Sequence, residues 1–166
     1  MIHTLCEPYN TLSTQQALVS EPRQPLRVGD IMAISPVTIA PSTSVQAAQA
    51  LMQQRQIRHL PVLQDGRLVG MISDRDIRLA LPSPATSLTV WEIRHLLDQL
   101  MVGEVMTYFV MTTVPDCPVT EAVGRMLRHK VGALPVVEGR EVVGILTRTD
   151  VLRAFRKLHA ELSAVA

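Results

Sequence analysis

Residues 57–76 read IRHLPVLQDGRLVGMISDRD, and residues 131–150 read VGALPVVEGREVVGILTRTD. The two stretches belong to a longer internal repeat. A shift of 74 residues aligns 28–79 with 102–153 without a gap, and 14 of the 52 aligned pairs are identical. Average residue usage would give roughly three or four identities by chance. The chain is therefore a duplication, and we expect both copies to fold in the same way.

Each copy has the pattern of a small unit of helices and strands. A short strand is predicted at 37–40 and at 111–114. The helix that follows has an apolar stripe, which in the second copy comprises Val119, Ala122, Val123, Met126 and Leu127. Apolar runs at 60–63 and 68–72, and again at 134–137 and 142–146, are joined by Asp65-Gly66 or Glu138-Gly139 and predict a β-hairpin. A second helix is predicted in each copy, beginning near residue 73 in the first and near residue 147 in the second.

The predicted order in each copy is β-α-β-β-α, so the fold class is α/β (α+β). One copy of about 52 residues is marginal alone. We therefore expect the copies to pack sheet to sheet about a pseudo-two-fold axis, with a ligand-sized cleft between them. The predicted organisation is a mobile arm at 1–26, a first repeat at 27–80, a linker loop and helix at 81–101, and a second repeat at 102–166. The C-terminal helix of the second repeat is predicted to turn Val151, Leu152, Phe155 and Leu158 inward.

Composition excludes several classes of function. The 16 basic and 15 acidic residues are nearly balanced, and five aromatic residues offer few stacking surfaces, so we expect no nucleic-acid binding. No apolar run is long enough to cross a membrane and no secretory signal is recognisable, so a cytoplasmic location is expected. Two distant cysteines and scattered histidines predict no metal site.

The motif with the most chemistry occurs once in each copy. Ser73 is followed three residues later by Asp76, and Thr147 by Asp150, each at the end of an apolar strand that holds a glycine. This spacing is that of a helix cap, which needs no ligand. The same geometry would place helix N–H groups near a phosphate and a carboxylate near ribose hydroxyls, and the glycine could leave room for a ligand. From spacing alone, both interpretations stand.

The combined motifs resemble a known family. The motifs of the first copy are Gly29-Asp-Ile-Met32, Ile57-Arg-His-Leu-Pro-Val62 and Gly70–Asp76. They recur in the second copy as Gly103-Glu-Val-Met106, Val131-Gly-Ala-Leu-Pro-Val136 and Gly144–Asp150. This pattern is similar to a tandem pair of cystathionine-β-synthase (CBS) domains, a Bateman module, over roughly residues 27–155. The segment at 87–106 resembles the linker of stand-alone CBS proteins of the acetoin-utilisation type.

The resemblance implies a regulatory ligand, AMP, ADP or ATP and sometimes S-adenosylmethionine, held between the copies. It implies no required cofactor. By position, Asp76 and Asp150 would hold ribose hydroxyls, and Ser73 and Thr147 would meet ribose or phosphate. The backbone at 57–59 and 131–133 would line adenine. The residues that the resemblance assigns to these adenine walls are Ile57, Arg58, His59, Val131, Gly132, Ala133, Thr38, Ile39, Thr112 and Val114.

The two copies differ at the motif. The second copy has Gly132-Ala133 where the first has Arg58-His59. The residue that follows the hydroxyl side chain of the motif is Arg148 in the second copy and Asp74 in the first. Since an arginine attracts phosphate and a carboxylate repels it, we expect tighter binding at Thr147–Asp150.

Three functions compete. The first is a nucleotide sensor that forms a homodimer and acts in trans on an unknown partner. The second is a ligand-free dimerisation or protein-interaction module, in which the Ser/Thr-x-x-Asp motifs are only caps. The third, an enzyme, lacks a recognisable nucleophile and base, so no catalytic residue is predicted.

Overall fold

The computed structural model describes residues 25–81 and 89–163. The predicted arm lies outside these ranges except for its last two positions, and residues 82–88 of the predicted linker loop lie outside them as well. The described elements are α1 Val28–Ile31, β1 Ala33–Ile34, α2 Val45–Arg55, β2 His59–Gln64, β3 Arg67–Ser73, α3 Asp74–Ala80, α4 Val90–Gln99, α5 Val102–Val105, α6 Val119–Arg128, β4 Ala133–Glu138, β5 Glu141–Thr147 and α7 Arg148–Ser163.

The two predicted hairpins are confirmed. Strands β2 and β3 form an antiparallel ladder whose open end pairs His59 with Ser73. Strands β4 and β5 form the matching ladder, whose open end pairs Ala133 with Thr147. Asp65 and Gly66 connect the first pair with φ values of 50° and 74°, a conformation that aspartate and glycine adopt readily. The second turn begins at Gly139 (φ 60°), one residue later than predicted. The mixed fold with small antiparallel sheets is that expected from the sequence.

The strands predicted at 37–40 and 111–114 are not formed as continuous strands, so this prediction is wrong. Each copy has only one parallel bridge there, Ile39 to Val62 in the first and Thr113 to Val136 in the second. A proline follows two residues later in both copies, at Pro41 and at the matching position of the second copy. Because proline has no N–H to donate, the ladder cannot lengthen in that direction.

The first segment of each copy packs against the other copy. The Gly29 N–H donates to the Pro115 carbonyl at 2.8 Å, and the Gly103 N–H donates to the Pro41 carbonyl at 2.9 Å. Strand β1 pairs with β5, and strands β3 and β5 are in contact. The Gly29–Pro115 contact recurs as Gly103–Pro41, and the Ala33–Ile145 pair recurs as a single bridge between Thr107 and Met71. The copies are thus related by pseudo-two-fold symmetry. Each packs its leading segment, the residues between the start of the copy and its α2 or α6 helix, against the other copy.

The exchange divides the hydrophobic residues into two cores that cross the repeat boundary. Val102 and Met106 are buried in the core of the first copy, and Val28 is buried in the core of the second. The repeats as read along the sequence and the units as packed in space therefore do not coincide. Loss of a leading segment would open the core of the opposite copy.

The glycine of each strand accommodates a methionine from the opposite copy. A Cβ built on Gly70 would overlap Met106 Sδ, and one built on Gly144 would lie 2.5 Å from Met32 Sδ and 3.1 Å from the carbonyl oxygen of Ala33. These separations are below van der Waals contact, so no side chain fits at either glycine without repacking. The suggestion that the glycine leaves room for a ligand is wrong, because a methionine fills that space.

The helices follow the predicted pattern in part. Val45, Ala48 and Met52 of α2 are buried, as are Ala122 and Met126 of α6. The predicted burial of Leu127 is wrong: its side chain is 74% exposed, one residue before α6 ends. The stripe locates the apolar side of this helix, but its last turn extends beyond the core.

The inward face predicted for the C-terminal helix is also wrong. Helix α7 has no buried residue, and Leu152, Phe155 and Leu158 are exposed, whereas Val151 is half-buried against the core of the second copy. The helix extends past the elements that could cover it, so an apolar stripe remains on the surface.

The described residues contain no candidate for a membrane span or a metal site. None of the helices there combines the length and apolarity needed to cross a bilayer. Within residues 25–81 and 89–163, no three His, Cys, Asp or Glu side chains lie close enough together to hold a metal ion. The cytoplasmic location stays a prediction.

Candidate functional site

A cavity of about 470 Å³ lies where the two copies meet. Its size is within the usual range for small-molecule sites. The end of β3 and the start of α3 supply one side, and residues 130–133 before and at the start of β4 supply another. The backbone N–H and C=O of Met71 exchange hydrogen bonds with those of Thr107 at 3.0 and 2.9 Å, which holds the leading segment of the second copy against the first. The cavity is thus built from both repeats.

The structure brings some of the residues predicted for the site to this cavity and places others elsewhere. Those that line it are Arg58, His59, Ser73, Asp76, Val131, Gly132, Ala133 and Arg148. Those that do not line it are Thr38, Ile39, Ile57, Thr112, Val114, Thr147 and Asp150. Thr112 is buried. The cavity therefore centres on the Ser73–Asp76 motif. Of the matching motif in the second copy, Thr147–Asp150, it is lined only by Arg148.

Asp76 caps the helix on which it lies. The Ser73 N–H and hydroxyl donate to Asp76 Oδ2 at 2.8 and 2.6 Å, and the Asp76 N–H donates to Ser73 Oγ at 3.3 Å. Among the described residues, no group donates to the other oxygen, Oδ1. The cap interpretation is therefore correct as far as it goes, and it leaves one carboxylate oxygen beside the cavity without a hydrogen bond from these residues.

Asp150 has the same cap and one further partner. The Thr147 N–H donates to Asp150 Oδ2 at 2.9 Å, as Ser73 does to Asp76, and Arg153 Nη1 lies 3.7 Å from Oδ1. The position that matches Arg153 in the first copy is Leu79, which has no charge. Both oxygens of Asp150 are thus engaged within its own helix, whereas only one oxygen of Asp76 is.

The helix starts offer fewer free N–H groups than the motif suggests. The Asp74 N–H donates to the Arg58 carbonyl at 3.0 Å, and the Arg148 N–H donates to the Gly132 carbonyl at 3.1 Å. The N–H of each capping aspartate is also bonded, to the hydroxyl at its own cap. Backbone contacts to a phosphate would therefore be limited, and charged side chains would have to hold it.

Those charged side chains are present. Five permanent cations line the cavity against two carboxylates, Asp74 and Asp76. Arg78 Nη2 is paired with Asp74 Oδ2 at 3.1 Å. The lining is therefore basic, and it draws on both copies. The five cations are Arg58, Arg75, Arg78, Lys130 and Arg148.

His59 and Arg148 meet beside Gly132. A Cβ built on Gly132 would lie 2.9 Å from both His59 Nε2 and Arg148 Nη2, so a larger residue here would displace the ends of these two side chains. Burial lowers the pKa of His59 from its ordinary 6.5, the charge of Arg148 lowers it further, and the charge of Asp76 opposes them. His59 is therefore mostly neutral at pH 7.

The apolar part of the cavity was missed by reasoning from the sequence. Met71, Phe109, Val110 and Met111 line it, and the Phe109 side chain is 81% exposed. Phe109 to Met111 belong to the leading segment of the second copy, which reaches the cavity through the exchange. No local pattern in the sequence signals that exchange, because it depends on contacts between residues far apart in the chain.

Comparison with known proteins agrees with this architecture. A family model described as CBS domain matches the chain twice, over residues 28–83 and 102–157. The CBS domain-containing protein YhcV of Bacillus subtilis (strain 168) is 30% identical over 123 residues, which are 74% of this chain and 81% of YhcV. Other relatives are much longer: the chain spans 23% of a homoserine O-acetyltransferase of Methanococcoides burtonii, at 33% identity over 76% of this chain.

Three solved structures are similar in fold. The acetoin utilization protein AcuB of Vibrio cholerae has a TM-score of 0.69 at 30% identity, covering 85% of this chain and 97% of its own. The CBS domain pair of MJ0100, in complex with 5′-methylthioadenosine and S-adenosyl-L-methionine, has a TM-score of 0.67 at 30% identity, covering 80% and 98%. CBSX2, in complex with AMP, has a TM-score of 0.66 at 32% identity, also covering 80% and 98%. The resemblance drawn from the sequence is confirmed: this chain belongs to the CBS domain family and carries two such domains in tandem.

Proposed function

We propose that the cavity between the two copies binds an adenine nucleotide, and that the bound and free states regulate a partner protein in trans. The observation that carries this proposal is the composition of the cavity. An apolar wall, a carboxylate oxygen without a bonded donor in the described residues, and a group of cations meet in one space, and these suit the base, the ribose and the phosphates of a nucleotide. AMP and adenosyl ligands bound to two structural relatives support it.

We propose a role for each part of the lining. Asp76 Oδ1 accepts from the ribose hydroxyls while Oδ2 keeps the cap. Adenine lies along Val131–Ala133 and the side chain of Met71, and Arg58 and Arg148 face the phosphates. We therefore propose Ser73–Asp76 as the primary site, in place of the tighter binding at Thr147–Asp150 expected from the sequence, because Thr147 and Asp150 do not line this cavity. A second nucleotide at Thr147–Asp150, with Thr38, Ile39, Ile57, Thr112 and Val114, stays a prediction.

Binding suits this cavity better than catalysis does. Its carboxylates are engaged in a cap or an ion pair, and its other charged groups are cations. Such a set holds an anion, whereas an enzyme would need a base placed against a nucleophile.

The melting temperature of the purified chain tests the proposal. We expect ATP, ADP or AMP to raise it, because a ligand at 100 times its dissociation constant stabilises the folded state by about 2.7 kcal/mol. GTP at the same concentration is the control for the base. An unchanged melting temperature with every adenine compound would favour the ligand-free interaction module instead.

We also propose that the chain forms a homodimer. Leu152, Phe155, Leu158 and Leu162 fall on one side of α7 and are all exposed, and an apolar stripe of this kind is typical of a helix that packs against another protein. Sedimentation equilibrium measures the mass of the assembly. A monomer at high protein concentration would contradict this part of the proposal.

A further inference from the structure

We infer that the cavity selects adenosine polyphosphates, ADP and ATP, over AMP and S-adenosylmethionine. This inference rests on the proposed function, because it concerns the ligand class of the same cavity. It goes beyond that function because the two liganded relatives were solved with AMP and with adenosyl compounds that carry no phosphate.

The charge of the lining is the first argument. Five permanent cations against two carboxylates leave an excess of three positive charges. A phosphate monoester carries about two negative charges at pH 7, so AMP would leave positive charge uncompensated. Each further phosphate adds about one negative charge, and ADP and ATP therefore match or exceed the excess.

The pairing of these charges is the second argument. Arg78 is the cavity cation for which the structure shows an ion pair, with Asp74. Arg58, Arg75, Lys130 and Arg148 have no carboxylate within ion-pairing distance among the residues described. Like charges gathered at one cavity repel one another, and an anionic ligand that lies between them removes this repulsion.

The placement of the cations is the third argument. Arg58 and Arg75 belong to the first copy, whereas Lys130 and Arg148 belong to the second. With the ribose held by Asp76, one phosphate group can reach the nearest of these cations, but a chain of phosphates can contact cations of both copies at once. A polyphosphate would thereby bridge the two repeats.

S-adenosylmethionine has the wrong charge for this lining. Its sulfonium and ammonium groups outweigh its single carboxylate, so it would bring a further positive charge to the cavity.

Lys130 offers a test with a matched control. Its backbone has a φ of 54°, and Gln56, the residue at the same position of the first copy, has a φ of 52°. Glycine adopts this conformation more readily than either residue, so Lys130→Gly and Gln56→Gly are both expected to fold. Only Lys130 lines the cavity.

Isothermal titration of the purified chain with ATP, ADP, AMP and S-adenosylmethionine measures the selectivity. We expect ATP to bind at least about tenfold more tightly than AMP, since each added phosphate gains charge-assisted hydrogen bonds. Lys130→Gly should lower the ratio of the ATP and AMP affinities by about threefold or more, and Gln56→Gly should leave it unchanged. Arg148→Gln is a second variant that should lower the same ratio.

The outcomes separate this inference from the proposed function. Equal affinities for AMP and ATP would overturn the inference and leave the proposed function intact. A ratio that neither Lys130→Gly nor Arg148→Gln changes would overturn it too. Binding of inorganic tripolyphosphate as tight as that of ATP, or no binding of any adenine compound, would contradict the proposed function and the inference with it.

Discussion

Asp76→Asn is expected to weaken adenosine and adenine-nucleotide binding by about 10-fold to 100-fold, whereas Asp150→Asn leaves it nearly unchanged. The reason is the loss of charged hydrogen bonds to ribose, each worth about 1.5–3 kcal/mol. Asp76 lines the cavity and no described group donates to its Oδ1, whereas Asp150 Oδ1 lies 3.7 Å from Arg153 and Asp150 does not line the cavity. Titration calorimetry with adenosine isolates the ribose contribution, because adenosine has no phosphate.

The two aspartates form a matched pair. Both cap a helix through the same set of bonds, so each substitution should cost a similar free energy of unfolding, about 1 kcal/mol. Only the effect on the ligand should differ between them. If both variants bind adenosine as the unchanged chain does, Asp76 has no role beyond its cap. If both lose binding equally, the cavity at Ser73–Asp76 is not the primary site.

Gly144→Ala is expected to destabilise the chain by about 1–3 kcal/mol. The new Cβ would lie 2.5 Å from Met32 Sδ and 3.1 Å from the carbonyl oxygen of Ala33, and that backbone atom cannot move aside as a side chain can. Chemical denaturation measures the loss. Gly124→Ala is the control: nothing lies within 4 Å of its new Cβ inside α6, so it should stabilise the chain by about 0.5–1 kcal/mol.

A double-mutant cycle turns the same substitution into a test of the exchange. Met32→Ala should relieve part of the cost of Gly144→Ala, because the two residues are in contact across the copies. It should be additive with Gly70→Ala, since Gly70 faces Met106 instead. Coupling of Met32 to Gly70, and none to Gly144, would mean that each leading segment packs on its own copy.

The elements that the sequence predicts correctly are those with a local cause. Residues 60–63 and 68–72 are short apolar runs on either side of Asp65-Gly66, a pair that suits a tight turn, and the hairpin follows from that alone. Ser73 and Asp76 form the cap that their spacing predicts. In these cases the interacting residues are close in the chain.

The predictions that failed depend on contacts between distant residues. The stripe of α7 correctly marks Leu152 and Phe155 as one face, but it does not reveal that nothing in the described fold covers that face. The two Ser/Thr-x-x-Asp motifs look alike, and only the folded chain distinguishes Asp76 at a cavity from Asp150 beside Arg153. Phe109 reaches the site through the exchange of leading segments, which no local pattern encodes.

The location of the nucleotide can be measured with methionine methyl groups labelled with ¹³C. Met71 and Met111 line the cavity, one from each copy, whereas Met52 and Met126 are buried in the two cores and do not line it. In NMR spectra, we expect saturating ATP to shift the signals of Met71 and Met111 and to leave those of Met52 and Met126 nearly in place. Signals of Met71 and Met111 that do not move when ATP binds would contradict a site between the two copies.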